Sequence, residues 1–165
     1  GNYAATMKPQ AEAASLGYSQ VLWLYGEDET ITEVGSMNVF FCMINPETKR
    51  TELVTPPLSR GDILPGVTRD SILQLARSWT DEDLDVVERF PTRPEVAKAA
   101  EEGRLLEAFG AGTAAVVSPV KAFGYKGEHY ELNMQENSYA SHFKKELMNI
   151  QYNKDADPFG WRVKV

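Results

Sequence analysis

The acidic side chain at position 33 is the first candidate for chemistry in this sequence. Glu33 stands between Thr32 and Val34, just after an acidic turn and just before an apolar run. A lone carboxylate in such a place is usually a solvated turn residue. If it is buried instead, it needs a cationic partner, such as a protonated pyridine nitrogen. A functional role for Glu33 therefore depends on its burial.

The second candidate is the segment 66–69, where Gly66 precedes a helix that is predicted to begin at Thr68. The segment Gly66-Val67-Thr68-Arg69 comes just before apolar residues at helical spacing, so its backbone amides would lie at a helix N-terminus. The unpaired N–H groups and the positive end of the helix dipole favour a phosphate there. The alternative is an ordinary helix start with Thr68 as its cap, and the segment by itself favours that alternative.

A second glycine-containing segment, Phe109–Ala114, lies between two apolar runs. Its glycines would let the backbone approach a ligand closely, and Thr113 could add a hydroxyl donor. It is not a dinucleotide-binding fingerprint, because a strand and not a helix is predicted to follow it; alone it indicates a tight turn. Tyr3 would by default be a core or surface aromatic. His129 and His142 lack a neighbouring ligand set, so no metal site is predicted.

Interleaved helices and strands must position these candidates. Helices are predicted at 5–17 with Gly17 as the C-cap, from Thr68 to Trp79, at 93–102 and at 137–152. Strands are predicted at 20–25, which should be buried, and at 39–44, 51–54, 85–90, 105–109, 114–117 and 122–125. This order lacks the regular rhythm of a doubly wound sheet. It predicts an α+β fold, a mixed-sheet pseudo-barrel with flanking helices.

Composition excludes several classes of function. The 165 residues include 17 Lys plus Arg and 24 Asp plus Glu, and the formal charge of −7 argues against nucleic acid or anionic membrane as the main partner. The length suits one domain with a sizeable core. No apolar run approaches a membrane span, and no secretory signal is visible. The single cysteine, Cys42, is predicted to be a small buried hydrophobic residue.

Four segments, taken in their order and spacing, resemble the branched-chain amino acid aminotransferases, which belong to the class IV family of pyridoxal phosphate (PLP) enzymes. The segments are Gly1-Asn2-Tyr3, Thr32–Asn38, Leu64–Arg69 and Phe109–Ala114. The likeness runs from residue 1 to about Tyr152 and is closer to eukaryotic, fungal-type members than to bacterial ones. It implies that residues 1–165 form a single C-terminal cofactor-binding domain, like the large domain of class IV aminotransferases, without the small N-terminal domain.

The resemblance also implies how a cofactor would be held. The residues that would bind PLP are Tyr3, Glu33, Leu64, Gly66, Val67, Thr68 and Thr113. Glu33 would pair with the pyridine nitrogen and keep it protonated, so that the ring acts as an electron sink. The amides of Val67 and Thr68, together with the Thr113 side chain, would hold the phosphate.

A substrate site is implied in the same way. The residues that would bind substrate are Tyr3, Ser36, Met37, Gly112, Thr113 and Ala114. Backbone amides of Thr113 and Ala114 would receive the α-carboxylate, and Ser36 and Met37 would line the side-chain pocket. Ala115 and Ser118 stand where the mammalian mitochondrial branch has a C-x-x-C, so no thiol redox switch is expected.

The implied reaction is amino transfer between leucine, isoleucine or valine and 2-oxoglutarate through PLP, by a homodimeric parent enzyme in the cytosol or the mitochondrion. The Schiff-base lysine would lie upstream of Gly1, so no residue of this chain is assigned a catalytic role. The chain alone is therefore predicted to be inactive and to bind PLP weakly or not at all. Two alternatives stay open: a truncated, non-catalytic binding or interaction module, and another class IV PLP enzyme such as a D-amino acid aminotransferase or a lyase.

Overall fold

The computed structural model describes residues 4–79, 83–132 and 137–163. These residues form four α-helices, nine strands and two short 3-10 helices, Ala4–Thr6 and Leu58–Arg60. The helices are α1 (Met7–Ser15), α2 (Val67–Ser78), α3 (Arg93–Glu101) and α4 (Tyr139–Gln151). The strands are β1 (Leu22–Tyr25), β2 (Thr30–Val34), β3 (Met37–Ile44), β4 (Thr51–Thr55), β5 (Leu84–Glu88), β6 (Leu105–Gly112), β7 (Val116–Pro119), β8 (Ala122–Tyr125) and β9 (Glu128–Glu131). No helix within these ranges is long and apolar enough to cross a membrane.

The two eight-residue strands, β3 and β6, pair antiparallel in the middle of a seven-stranded sheet. On its other side, β3 pairs with β2 near its start, where Asn38 is opposite Glu33, and with β4 near its end. The sheet is mixed because β4 and β5 run parallel, whereas every other strand pair is antiparallel among the described residues. β8 and β9 form a separate hairpin. The order of pairing brings the ends of β2 and β6 to either side of the start of β3.

Strand β3 is buried on both faces because its side chains alternate between two cores. Phe40 and Cys42 pack with residues of α2 and α4 on one face, while Phe41 and Met43 pack with residues of α3 on the other. A strand covered on both faces requires a continuous apolar run, which is what the sequence contains. The Phe40 ring stacks on that of Phe109 in β6, with centroids 5.1 Å apart.

The predicted α+β class is confirmed, and all four predicted helices are present within a few residues of their expected ends. Gly17, at φ 87°, follows α1, and its amide donates to Ala14 O, as expected for a C-cap glycine. Cys42 is 0% exposed, which confirms its interpretation as a buried hydrophobic residue. Burial, and then the nearby Glu107 carboxylate, raise the pKa of the Cys42 thiol well above its usual value.

Two expectations about the strands were wrong. The strand predicted to be buried at 20–25 is β1, whose Leu24 and Tyr25 are exposed, because β1 pairs only with β2 at the edge of the sheet. The segment Phe109–Ala114 is not a turn throughout. β6 continues to Gly112, since glycines can pair in a ladder, and the turn occupies only residues 113–115, so β7 begins at Val116 and not at Ala114.

Candidate functional site

Most of the predicted site residues lie at one end of the sheet. Glu33, near the end of β2, is the register partner of Asn38, which in turn is the partner of Ala111 near the end of β6. Ser36 is in the two-residue turn that joins β2 to β3. Two segments distant in sequence, the β2–β3 hairpin and the end of β6, therefore meet here, whereas Tyr3 lies outside the described residues.

The Glu33 carboxylate is half-buried and accepts hydrogen bonds from neutral donors. Its Oε1 accepts from the Leu64 amide at 3.1 Å and from Asn38 Nδ2 at a longer 3.5 Å. Burial raises the pKa of Glu33, the bond from Leu64 opposes this rise, and the Asp62 carboxylate adds to it. Among the described residues, no cationic group is found next to Glu33. This carboxylate is therefore placed to stabilise a proton or a cationic ligand atom.

The Leu64 backbone links Glu33 to helix α2 through a tight turn. The Leu64 carbonyl accepts from the Gly66 amide at 2.8 Å, which closes a three-residue turn around Pro65. The same carbonyl accepts from Asn38 Nδ2 at 2.8 Å. The Leu64 side chain is 56% exposed, so it is the backbone of this residue that is held. Helix α2 begins three residues after Leu64.

Helix α2 begins without a side-chain cap. Gly66 is its N-cap and supplies none, so the interpretation of Thr68 as the cap was wrong. Thr68 lies one position inside the helix, because the first bond of the helix already runs from the Asp70 amide to Gly66 O. The amides of Val67 and Thr68 precede that bond and have no partner within the helix. Since Val67 is 81% exposed, this helix end is open to an anion.

The first turn of α2 is anchored by Arg69, a residue for which the sequence predicted no separate role. The Arg69 side chain is 3% exposed and donates to Glu88 at 2.7 Å and to Pro56 O at 2.9 Å. Burial raises the pKa of Glu88, but the bonds from Arg69 and Arg77 together outweigh it and lower that pKa overall. The pair fixes α2 to β5. A basic residue next to the predicted helix start was the available signal, but its partner is 19 residues away.

The glycines at the end of β6 make room for Met37. A Cβ built at Gly110 would lie 2.8 Å from Met37 Cε, and one built at Gly112 would lie 3.1 Å from Met37 Cγ. Side chains larger than hydrogen at these two positions would displace Met37. The contact brings a residue predicted for the substrate pocket against the turn predicted for the α-carboxylate. In that turn Thr113 and Ala114 are both exposed.

Ser36 borders an open cavity of about 220 Å³ beside this end of the sheet. Its lining also includes the start of α1, the β1 region and the β2–β3 turn, namely Thr6, Gln10, Gln20, Trp23 and Gly35. Trp23 Nε1 donates to Gly35 O at 2.7 Å and so fixes the turn that carries Ser36.

The donors and acceptors at this end fit a ligand that combines a phosphate with a protonated ring nitrogen. The open end of α2 suits the phosphate, and Glu33 suits the nitrogen. The structure brings Glu33, Leu64, Gly66, Val67 and Thr68 together by direct bonds or by continuity of the chain. Thr113 lies exposed in the β6–β7 turn and forms no hydrogen bond to this group among the described residues. No cluster of metal-binding side chains occurs in the described ranges.

Known proteins are similar to this chain in sequence and in fold. The family described as amino-transferase class IV matches residues 1–123. The mitochondrial branched-chain-amino-acid aminotransferase of Schizosaccharomyces pombe is 51% identical over 160 residues, which cover 94% of this chain and 37% of that protein. The mitochondrial enzyme of the same name from Mus musculus is 47% identical over 165 residues, which cover 99% of this chain and 41% of that protein.

Solved structures show the same relationship. The branched-chain amino acid aminotransferase of Thermobaculum terrenum, in its PLP form, superposes with a TM-score of 0.66 at 27% identity, covering 88% of this chain and 41% of that one. The enzyme of Escherichia coli gives a TM-score of 0.72 at 24% identity, which supports the fold alone, and covers 97% of this chain and 48% of that one. The chain thus spans about two fifths of the length of the curated relatives given above.

Proposed function

The chain belongs to the amino-transferase class IV family, and we propose on this premise that residues 1–165 are the C-terminal, cofactor-binding domain of a PLP-dependent branched-chain amino acid transaminase. The observation that carries the proposal is the link from Glu33 through Leu64 to the uncapped start of α2. It joins a carboxylate with no cation beside it among the described residues to a helix end with no side-chain cap, which favours an anion. A phosphate-bearing pyridine would supply both.

Glu33, Leu64, Gly66, Val67 and Thr68 would hold this cofactor. The Glu33 carboxylate would keep a proton on the pyridine nitrogen, and the pKa of Glu33 would fall once that cation faced it. The amides of Val67 and Thr68 would donate to the phosphate, where the dipole of α2 adds a favourable field. When bound, PLP supplies the electron sink that the amino transfer needs. In this proposal Tyr3 and Thr113 complete the cofactor contacts.

Substrate would bind between the β2–β3 turn and the β6–β7 turn. We assign the α-carboxylate to the amides of Thr113 and Ala114 beside Gly112, an arrangement of backbone dipoles that needs no arginine. Met37, which packs on the glycines of β6, and Ser36 would line the pocket for the aliphatic side chain of the substrate and exclude water from it. Leucine, isoleucine and valine are the substrates that we propose, with 2-oxoglutarate as the amino acceptor. The names of the two eukaryotic relatives support this choice.

None of the residues assigned above is a lysine that carries the cofactor, so we propose that residues 1–165 alone do not catalyse the reaction. The relatives are more than twice as long, and we propose that the full-length gene product supplies this lysine, an N-terminal domain and a homodimer interface. We place it in the mitochondrion or the cytosol, the compartments in the names of its yeast relatives.

The experiment is a transaminase assay on the full-length gene product and, in parallel, on residues 1–165 alone. With leucine, 2-oxoglutarate and added PLP, the full-length protein should form glutamate, and the short chain should not. D-Alanine as amino donor is the matched control for the other activity within the family. Failure of the full-length protein with all three branched-chain amino acids, or a preference for D-alanine, would refute the proposed substrate class.

A further inference from the structure

Asn38 is a buried polar residue at the start of β3, and none of the roles assigned so far includes it. It is 5% exposed and lies directly opposite Glu33 in the register of β2 and β3. Its side chain contacts three points of the site: Glu33 Oε1, the Leu64 carbonyl and Gly66. A buried amide that contacts both the carboxylate and the turn before α2 is in a position to set their spacing.

The chemistry of its neighbours determines the orientation of the Asn38 amide. Glu33 Oε1 and Leu64 O are both acceptors, so the NH₂ group must face them, at 3.5 and 2.8 Å. The opposite atom, Oδ1, then lies against Gly66, where a built Cβ would overlap it. Turning the amide over would place its oxygen against two other oxygens. Asn38 can therefore fill this position only as a donor to the carboxylate and to the Leu64 carbonyl.

These contacts close a ring of hydrogen bonds across two strands and a turn. The Leu64 amide donates to Glu33 at 3.1 Å, the Leu64 carbonyl accepts from Asn38 at 2.8 Å, and Asn38 Nδ2 lies 3.5 Å from Glu33. Glu33 alone would hold only the N–H side of Leu64, about which the turn could pivot. Asn38 holds the carbonyl of the same residue, which belongs to the next peptide unit, Leu64–Pro65. Since α2 begins three residues after Leu64, the direction of its first amides depends on these two hydrogen bonds to the Leu64 backbone.

We propose that Asn38 is a positioning residue that fixes the Leu64–Gly66 turn against Glu33 and thereby sets the separation between the ring-nitrogen carboxylate and the phosphate-binding end of α2. The identity of the ligand rests on the proposed function. The positioning itself belongs to this chain and is measurable without cofactor. Asn38 does not touch the reacting atoms in this proposal.

Thr55 provides a matched control for a purely structural role. It is 0% exposed, and its Oγ1 donates to Val39 O at 2.7 Å, so it too is a buried polar side chain bonded to a backbone carbonyl. Its hydrogen bonds join it to Val39 and Arg89, and not to Glu33 or to the turn at Leu64. A Thr55→Val variant removes one buried hydrogen bond at the end of β4 and leaves the ring of bonds at Asn38 intact.

The test compares Asn38→Ala, Asn38→Asp and Thr55→Val in the full-length gene product. Asn38→Asp preserves the shape of the side chain but replaces the donor by an acceptor, so it separates hydrogen bonding from packing and carries the comparison if Asn38→Ala does not fold. The first measurement is amide hydrogen exchange at Leu64 and Gly66, whose amides donate to Glu33 and to Leu64 O, in the cofactor-free protein. The second is the dissociation constant of PLP.

In both Asn38 variants these amides should exchange hydrogen roughly tenfold faster, and the dissociation constant of PLP should rise roughly tenfold. Each factor is the effect expected from the loss of one hydrogen bond of ordinary net strength. Thr55→Val should lower thermal stability without changing either quantity. The proposal is overturned if Asn38→Asp behaves as the parent, or if Thr55→Val accelerates the same amides equally. Absence of PLP binding by the parent protein would instead refute the proposed function, and the exchange data would still decide the role of Asn38.

Discussion

Replacing Gly66 by alanine tests the close packing at the start of α2. Gly66 has φ −67° and ψ 132°, a conformation that alanine adopts freely. At such a position a glycine-to-alanine change normally stabilises a protein by about 0.4–1 kcal/mol through the unfolded chain. Here the new Cβ would overlap Asn38 Oδ1. The local environment therefore reverses the sign that the backbone alone predicts.

The expected cost follows from what Asn38 must give up. It is 5% exposed, so a rotation away from Gly66 breaks its bond to Leu64 O and leaves a buried donor unsatisfied, which costs about 1–3 kcal/mol. After subtraction of the backbone gain, Gly66→Ala should lower the free energy of unfolding by about 1.3 kcal/mol at the centre of these ranges, and by about 2.6 kcal/mol at most. In an Asn38→Ala background the obstructing oxygen is gone. There the same change should stabilise the protein by about 0.4–1 kcal/mol.

The assay is urea unfolding of the four cofactor-free proteins of this double-mutant cycle, followed by tryptophan fluorescence. The free energies of unfolding are compared only among variants whose slope against urea concentration equals that of the parent protein. Independent sites add to within about 0.3–0.5 kcal/mol, so the expected coupling of about 2 kcal/mol is well resolved. An equal cost of Gly66→Ala in both backgrounds would refute the contact between Gly66 and Asn38.

Three further predictions concern titratable groups. Glu33→Gln keeps an acceptor for the Leu64 amide and removes a half-buried charge. Urea unfolding at pH 7 should therefore show equal or higher stability. A PLP titration should show roughly 10- to 100-fold weaker binding, because the partner of the pyridine nitrogen is lost. A Glu33→Gln variant that is less stable and also binds PLP more weakly would contradict this prediction. The pKa of Glu88 is lowered on folding, so its stabilising effect is complete above the pKa that the carboxyl has in the unfolded chain and is lost as pH falls through the lower pKa of the folded protein. Glu88→Gln should therefore lower the unfolding free energy by about 1–3 kcal/mol at neutral pH, since Arg69 is left buried, and by less in acid. Thermal unfolding from neutral to acidic pH measures this, and a constant difference would contradict it. Cys42 is buried and the pKa of its thiol is raised, so it should react with a disulfide reagent only after unfolding in guanidinium. The absorbance of the thiol that the reagent releases measures the reaction. Rapid labelling of the native protein would contradict this prediction.

The elements of the fold were largely predictable because local patterns encode them. The unbroken apolar run at 39–44 indicated a strand covered on both faces, and β3 is such a strand. Helix-period apolar residues after Thr68 indicated α2, and Gly17 indicated the end of α1. Burial of β1 was predicted wrongly, because apolar composition does not reveal whether a strand lies at the centre or the edge of a sheet.

The roles within the site were less accessible. Glu33 was identified as a candidate whose meaning depended on burial, and that burial comes from a turn 31 residues further along the chain. Asn38 was part of a recognised segment but had no assigned role, since a polar residue at the start of an apolar strand gives no sign of its partners. Arg69 was treated as part of a helix start, whereas its side chain is buried against Glu88.

The sequence by itself determined the type of most main elements, but not that β2 and β9 are strands. It also determined the burial of Cys42 and the resemblance of four spaced segments to one family. These are encoded by residues close together in the chain or by their spacing along it. The tertiary structure alone decided that no cation of the described residues lies beside the Glu33 carboxylate, that α2 begins uncapped at Gly66, and that Asn38 joins the two. The physical reason is that periodicity places a side chain on a face of its element. Which remote backbone group meets that side chain, and hence its pKa and its partners, is fixed only when the strands pair and the helices pack on them.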